Sequence, residues 1–202
     1  MNKWQIFAVL TLSSLFSGAK ANSQATLPRQ HDNVPHLQCY SGSTPTDLDR
    51  LLARARKGEA GAQFWSGVAF DQGWCGKPNF EKALQWYTAA AKQGDADAQN
   101  SLGQMYEEGR GVKQDYALAA SWYRRAAEHV PNLGGAGQGR NNLGLLYMQG
   151  LGVPRDFVQA YMWFRLAGTE ENLRQAKIEM TSSQVLQAEQ MAKDWIKTHL
   201  VQ

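Results

Sequence analysis

Apolar residues along this chain recur with a helical period over most of its length, and they do so in copies. The stretch NSLGQMYEEGRGVKQDYALAASWYRRAAEHV, residues 100–130, places Leu102, Gly103 and Tyr106 on one helical stripe and Ala119, Trp122, Tyr123 and Ala126 on another. The pattern returns forty-one residues later as NNLGLLYMQGLGVPRDFVQAYMWFRLAG, and a weaker copy stands thirty-six residues earlier as FWSGVAFDQGWCGKPNFEKALQWYTAAA. Without a gap inside any copy, Gly67, Gly103 and Gly144 fall in one column, as do Phe70, Tyr106 and Tyr147, then Gly73, Gly109 and Gly150, then Ala83, Ala119 and Ala160, then Trp86, Trp122 and Trp163. Self-similarity at such a period predicts stacked helical units, because one unit alone leaves an apolar face uncovered.

Each unit reads as two helices joined by a short turn. A glycine just past a periodic run takes the left-handed conformation that ends a helix, which gives Gly109 and Gly150 that place. Asp115 and Asp156 then stand where a carboxylate caps the free N–H groups of a second helix. Small residues alternating with aromatics let helices approach while rings fill the space between units, so the Trp122 column is expected to be buried and Gln104, between the apolar columns, is not. The five extra residues of the longer spacing fall in PNLGGAGQGR, residues 131–140, read as an inter-helix loop from its glycines and proline. Upstream, Thr46 can cap a helix over 47–58 that Gly58 ends; it takes the second-helix position of a missing first copy and is a half-repeat cap. The expected architecture is all-α, an α-solenoid, with units over 60–95, 96–135 and 136–169 and capping helices over 170–202.

The columns carried by Ala98, Leu102, Gly103, Tyr106, Gly109, Gly111, Val112, Asp115, Ala119, Trp122, Tyr123, Ala126 and Ala127 resemble the Sel1-like repeat, a relative of the tetratricopeptide repeat. The third copy matches through Leu143, Gly144, Tyr147, Gly150, Gly152, Val153, Asp156, Ala160, Trp163, Phe164 and Ala167. The first departs where Cys75 stands for the second glycine of the turn and Asn79 for the aspartate. The tail MTSSQVLQAEQMAKDWIKTHL is similar to the helix that closes many bacterial members. The resemblance implies a right-handed superhelix of antiparallel helix pairs that binds other proteins and has no chemistry or cofactor of its own. It further implies that the first helix of each pair lines a concave groove, which makes Phe64, Asn100 and Asn141 candidate binding residues in equivalent positions. Gln104, Glu107, Leu145 and Met148 are candidates further along that face. Asparagine is a poor helix former, so its presence at one place in two copies suggests a use, and a carboxamide can both donate to and accept from a peptide backbone. The alternative is that the two asparagines only favour helix starts locally.

Composition adds a compartment. MNKWQIFAVLTLSSLFSGAKANSQA has one lysine, an apolar run of eleven residues from Ile6 to Phe16, and small residues around Ala19 and Ala21, the three parts of a secretory signal peptide cleaved after Ala21. Eleven apolar residues fall short of the roughly 20 that span a bilayer. Residues 22–46 are polar and proline-containing, an extended, partly disordered lead-in. The expectation is a periplasmic or secreted protein, monomeric, with no membrane insertion after cleavage. The formal charge is +3, and removing Lys3 and Lys20 with the leader leaves 19 basic against 18 acidic residues, no electrostatic reason for a nucleic-acid partner. Cys39 and Cys75 are the two cysteines, and in an oxidising compartment an isolated pair is most simply a disulfide, the alternative being two buried thiols. A bond there closes a loop worth roughly 4 kcal/mol at most on the chain-entropy model.

Enzyme signatures are missing where they would be needed. The G-x-G pairs follow helices, whereas a dinucleotide fingerprint follows a strand. Some cysteine-rich relatives hydrolyse β-lactams, but the S-x-x-K match is Ser17 to Lys20, inside the leader, and neither H-E-x-x-H nor G-x-S-x-G occurs. Four histidines and two cysteines form no metal-ligand spacing beyond His31 and His36, so neither metal nor cofactor is expected. The reading is a scaffold or adaptor for a protein or peptide in the cell envelope; the alternatives are a hydrolase or binder of cell-wall or β-lactam-type material, and a structural part of an envelope assembly. The leader itself is checked by intact mass of the exported protein: the expected species begins at Asn22, and a membrane-bound species beginning at Met1 contradicts cleavage.

Overall fold

The computed structural model describes residues 46–129 and 134–200, all within the compact unit Leu37–Gln202. The leader and the lead-in up to residue 45, with Cys39, lie outside the described residues. Among these, nine helices and no strand occur: α1 (Asp47–Arg56), α2 (Ala60–Gln72), α3 (Phe80–Lys92), α4 (Ala96–Glu108), α5 (Tyr116–Ala127), α6 (Gly135–Gln149), α7 (Phe157–Ala167), α8 (Glu170–Ile178) and α9 (Ser182–Leu200). The fold is an all-α solenoid of repeated helix pairs, α2 with α3, α4 with α5, and α6 with α7.

Local chemistry sets the ends of each helix. Thr46 and Asp49 form a reciprocal capping box at α1. Asn79, Asp115 and Asp156 each accept backbone N–H bonds at the start of α3, α5 and α7, so the Asn in the first copy keeps the cap that Asp provides in the others. The first helices all stop at a left-handed glycine, with φ of 65° at Gly73, 71° at Gly109 and 73° at Gly150, a conformation that costs a residue with a Cβ.

Within a pair, the contact that repeats is a helical glycine under an aromatic ring. A Cβ on Gly67 would lie 2.5 Å from the Tyr87 ring, and one on Gly144 would lie 2.6 Å from Phe164. Gly103 is pressed as closely by Tyr123. Ala83, Ala119 and Ala160 are fully buried one turn before these rings, leaving room for the facing helix. Between pairs, the core is continuous. Tyr87, Ala90 and Ala91 of α3 pack with Ala98, Leu102 and Met105 of α4. Ala119, Ala120, Tyr123 and Ala127 of α5 pack with Leu143 and Leu146 of α6 and with Met162, Trp163 and Leu166 of α7. The closing helix α9 buries Ala188 and Ala192 at this end and sets Trp195 edge-on to Trp163, with 6.3 Å between ring centroids.

Two expectations are corrected. The aromatic column buried in all three copies is Tyr87, Tyr123 and Phe164, whereas in the tryptophan column Trp163 is buried but Trp86 and Trp122 are half-buried: Tyr123 is fully buried while Trp122 has the Arg125 guanidinium 4.7 Å from its ring centroid. On α5 the face turned to α4 runs through Ala119, Tyr123 and Ala126 at i, i+4 and i+7, which leaves Trp122 on the flank, against the cluster that α3 of the preceding pair forms with α4. Trp163 is buried because α9 covers it. Residues 135–140 are not loop but the first turns of α6. Their glycines serve close packing: a Cβ on Gly135 would collide with the Ala96 carbonyl, and one on Gly139 would come within 2.7 Å of the Ala126 Cβ. Tyr123→Ala should therefore cost about 3 to 5 kcal/mol and Trp122→Ala about half of that. Urea denaturation of the two variants checks the register; equal losses contradict it.

Candidate functional site: the row of first helices

Side chains at equivalent positions tie each first helix to the pair before it. Gln63 donates to the Ala55 carbonyl at 3.1 Å, and Gln99 donates to the Ala91 carbonyl at 3.2 Å. Arg140 takes the same column and donates to the Ala127 carbonyl at 2.9 Å. These acceptors lie in the last turns of α1, α3 and α5, where carbonyls lack helical partners. A second layer repeats as well. Gln93 donates to the Gln63 carboxamide at 2.7 Å, and thirty-six residues on, His129 pairs with the Gln99 carboxamide at 3.2 Å.

Arg140 does more than the glutamines. Only 2% exposed, it also donates to the His129 carbonyl at 2.6 Å and reaches the Leu166 carbonyl at 3.5 Å, with its guanidinium 4.6 Å from the Trp195 ring centroid. Burial lowers its pKa to about 10, so it stays charged at neutral pH. The C-terminal ends of α5 and α7 turn partial negative charge toward it, and the Trp195 face completes its surroundings.

The candidate residues divide on inspection. Asn100 is 2% exposed; it donates to Gln138 at 2.9 Å and accepts from Asn142 at 3.0 Å. Its carboxamide is therefore a link between α4 and α6 and not an open groove contact. Asn141 accepts from Asn172 of α8 at 2.6 Å, the corresponding link one step on. Phe64 packs on Tyr87, with centroids 5.9 Å apart. Leu145 and Met148 lie half-buried against the α7–α8–α9 cluster. Gln104 stays half-exposed on α4.

Glu107 accepts the Tyr123 hydroxyl at 2.5 Å. Burial raises its pKa, with the neighbouring Glu108 adding to the shift and the Tyr123 hydroxyl opposing it. The hydroxyl of Tyr87 likewise engages Asp71, thirty-six residues before Glu107, and burial raises that phenol's pKa. In the third copy both partners change, to Phe164 and Met148. A tyrosine with an acid, twice, and a phenylalanine with a methionine, once, are one packing position in polar and apolar form. Arg110 reaches back to Asp71 at 2.6 Å and so ties the turn of one pair to the helix of the one before.

Sequence reasoning missed Arg140, Gln138, Asn142 and the glutamine column. The signal for the last was present, since KGEAGAQ and QGDADAQ both end on the glutamine concerned. Among the described residues no group of three or more His, Cys, Asp or Glu is placed to hold a metal ion, and no helix is long and apolar enough to cross a membrane.

A family model described as Sel1 repeat matches residues 60–95, 96–129 and 137–172. The chain belongs to the Sel1 repeat family. Sel1 repeats are generally non-catalytic scaffolds for protein–protein interaction. Among solved structures, a Sel1 repeat protein from Oxalobacter formigenes is 30% identical with a TM-score of 0.60, over 68% of this chain and 56% of that one. A second, c5321, a protective antigen of uropathogenic Escherichia coli displaying an SLR fold, is 25% identical with a TM-score of 0.41, over 75% of this chain and 48% of that one. The Sel1 repeat chain thus spans about half the length of each. A search of curated proteins finds no match.

The Glu107 environment carries a pH signature. A carboxyl whose pKa is raised by folding binds its proton more tightly in the folded state, so its ionisation weakens the fold as pH rises from the ordinary glutamate value through the raised one. Glu107→Gln keeps an acceptor for Tyr123 and removes the charge. The variant should exceed wild type in stability at neutral pH, with the gap closing as pH falls toward about 4.5, the usual glutamate range. A gap independent of pH in denaturation series contradicts this reading of Glu107.

Proposed function

We propose that this Sel1 repeat protein is an exported, non-catalytic scaffold that holds a protein or peptide partner along its first helices in the cell envelope. The observation that carries the reading is the division of labour in the repeats: backbone-directed side chains such as Gln63, Gln99 and Arg140 fix the pairs to one another, while Gln104 stays half-exposed on the row they align. A row held by its own buried links presents its open side chains in fixed geometry, which lowers the ordering cost of binding. The leader supports export, and export supports a disulfide between Cys75 and Cys39, the latter outside the described residues. The surface is nearly neutral, so apolar and carboxamide contacts carry recognition more than charge does.

Affinity capture from an envelope extract, read by mass spectrometry, tests the proposal. Wild type should enrich a protein, and Gln104→Arg should lose it at an unchanged melting temperature, since a surface substitution alters stability by only about 0.5 kcal/mol. Enrichment of muropeptides, or turnover of a chromogenic β-lactam by the purified protein, would support the enzyme or glycan reading. Undiminished capture by the folded variant would move the binding face away from α4.

A further inference from the structure

The turn of the second pair opens a cleft whose equivalents are covered in the other two. Tyr106, Val112, Lys113, Gln114, Asp115 and Leu118 line about 290 Å³ between the end of α4 and the start of α5. In the first pair Lys82 stands in the place of Leu118 and holds its ammonium 5.1 Å from the centroid of the Phe70 ring, which stands in the place of Tyr106. In the third pair the place of Leu118 is taken by Gln159, Val153 packs into the cluster around Trp163, and the Tyr147 hydroxyl accepts from Arg124 at 2.7 Å. The second pair has none of these. Val112 joins none of the hydrophobic clusters, and Leu118, at 44%, is among the described residues the one large apolar side chain of the three repeats that is exposed. Thr88 holds the place of Arg124, and among the described residues nothing bonds to the Tyr106 hydroxyl.

The lining decides what fits. Leu118, Val112 and the Tyr106 ring form an apolar wall. The Asp115 carboxylate already accepts the Leu118 N–H at 2.9 Å, and its charge is answered by the free N–H groups that open α5. The Gln114 carboxamide donates to the Glu107 carbonyl at 2.7 Å and to the Tyr116 hydroxyl at 3.0 Å, which leaves its oxygen to accept from a peptide N–H. Lys113 forms no ion pair among the described residues, so it is the cation of the rim without an opposing charge. Sites that bury most of a small molecule start near about 300 Å³ and are enclosed. This cleft is no larger, and its exposed Lys113, Gln114 and Leu118 leave it open, so it suits one side chain carried by a larger partner.

We propose that this cleft seats a leucine-like side chain of a partner peptide that carries an acidic residue beside it. The aliphatic group lies against Leu118, Val112 and the Tyr106 ring, and the acidic side chain meets Lys113 at the rim. The Tyr106 hydroxyl and the Gln114 oxygen take the peptide's backbone groups. The seat goes beyond the row of first helices described above. Gln104 and Tyr106, two residues apart on α4, project about 200° apart, so either contact can exist without the other.

Amide NMR spectra of the full chain, titrated with an acetylated and amidated tetrapeptide of alanines carrying a central leucine and glutamate, test the seat. Saturable shifts at the amides of residues 112–118 are expected. Replacing the peptide's leucine by alanine should weaken binding about tenfold, the low end for burying such a side chain. Replacing its glutamate by glutamine should weaken binding about two- to five-fold at low salt and not at about 1 M, the behaviour of an exposed ion pair. Leu118→Lys, which installs the residue of the first pair over the ring, should remove the shifts. Shifts that fail to saturate, or equal binding of the alanine peptide or of the glutamine peptide at low salt, overturn the proposal even if the variant fails to fold. So does undiminished binding by folded Leu118→Lys. Shifts centred on Gln104 overturn the seat and leave the row of first helices standing as the binding face. Binding of 4-methylpentanoate as tight as that of the peptide would make the ligand a small carboxylate, and shifts at 112–118 that grow with protein concentration alone would make it a second copy; either overturns the proposal.

Discussion

The solenoid depends on one contact made three times, a glycine of the first helix lying under an aromatic ring of the second. Gly67 with Tyr87, Gly103 with Tyr123 and Gly144 with Phe164 bring backbone and ring so close that no side chain fits between them. A glycine inside a helix costs roughly 1 kcal/mol relative to alanine. Three such glycines persist because the ring they admit is buried to 2% exposure or less, which a facing side chain would prevent. The angle between helices in a pair follows from that contact, and with it the direction in which the next pair must stack.

Stacking then has its own chemistry, laid along the columns. Helix C-termini leave carbonyls that need donors, and Gln63, Gln99 and Arg140 supply them from the next first helix. At the third pair the donor becomes an arginine, because there it can serve α5 and α7 at once and lie under Trp195 of the closing helix. A buried guanidinium held by carbonyls alone keeps its charge through two helix dipoles, and it joins the last repeat to the helix that ends the row. Asn100 and Asn141 add a parallel set of links, from α4 to α6 and from α6 to α8.

Much of this was legible in the sequence where one copy could be laid on another. Pair boundaries, the terminating glycines and the aspartate caps recur at fixed spacing, and each has a local cause that a short window contains. What failed was what needs a partner in another copy. Asn100 looked available because its low helix propensity had no visible reason, yet the reason lies in Gln138 and Asn142, on a helix set by the longer spacing. Trp122 looked buried because large aromatics usually are; the facing direction of α5 decides otherwise by one residue. The glycines of residues 135–139 looked like loop because composition does not distinguish a flexible turn from a helix pressed against backbone. For the binding face the sequence supplied a plausible row and the structure divided it: some members are links, some are packing, and Gln104 is half-exposed.

The glycine-and-ring contact is tested most directly by a change of sign. Gly103→Ala should destabilise the wild-type chain, because overpacking against the Tyr123 ring, typically about 1 to 3 kcal/mol, outweighs the roughly 1 kcal/mol that alanine gains in a helix. In a Tyr123→Leu background the same change should become neutral or stabilising, since the ring that met the new methyl is gone. Destabilisation by Gly103→Ala of equal size in both backgrounds, measured as a double-mutant cycle in urea, would contradict the account.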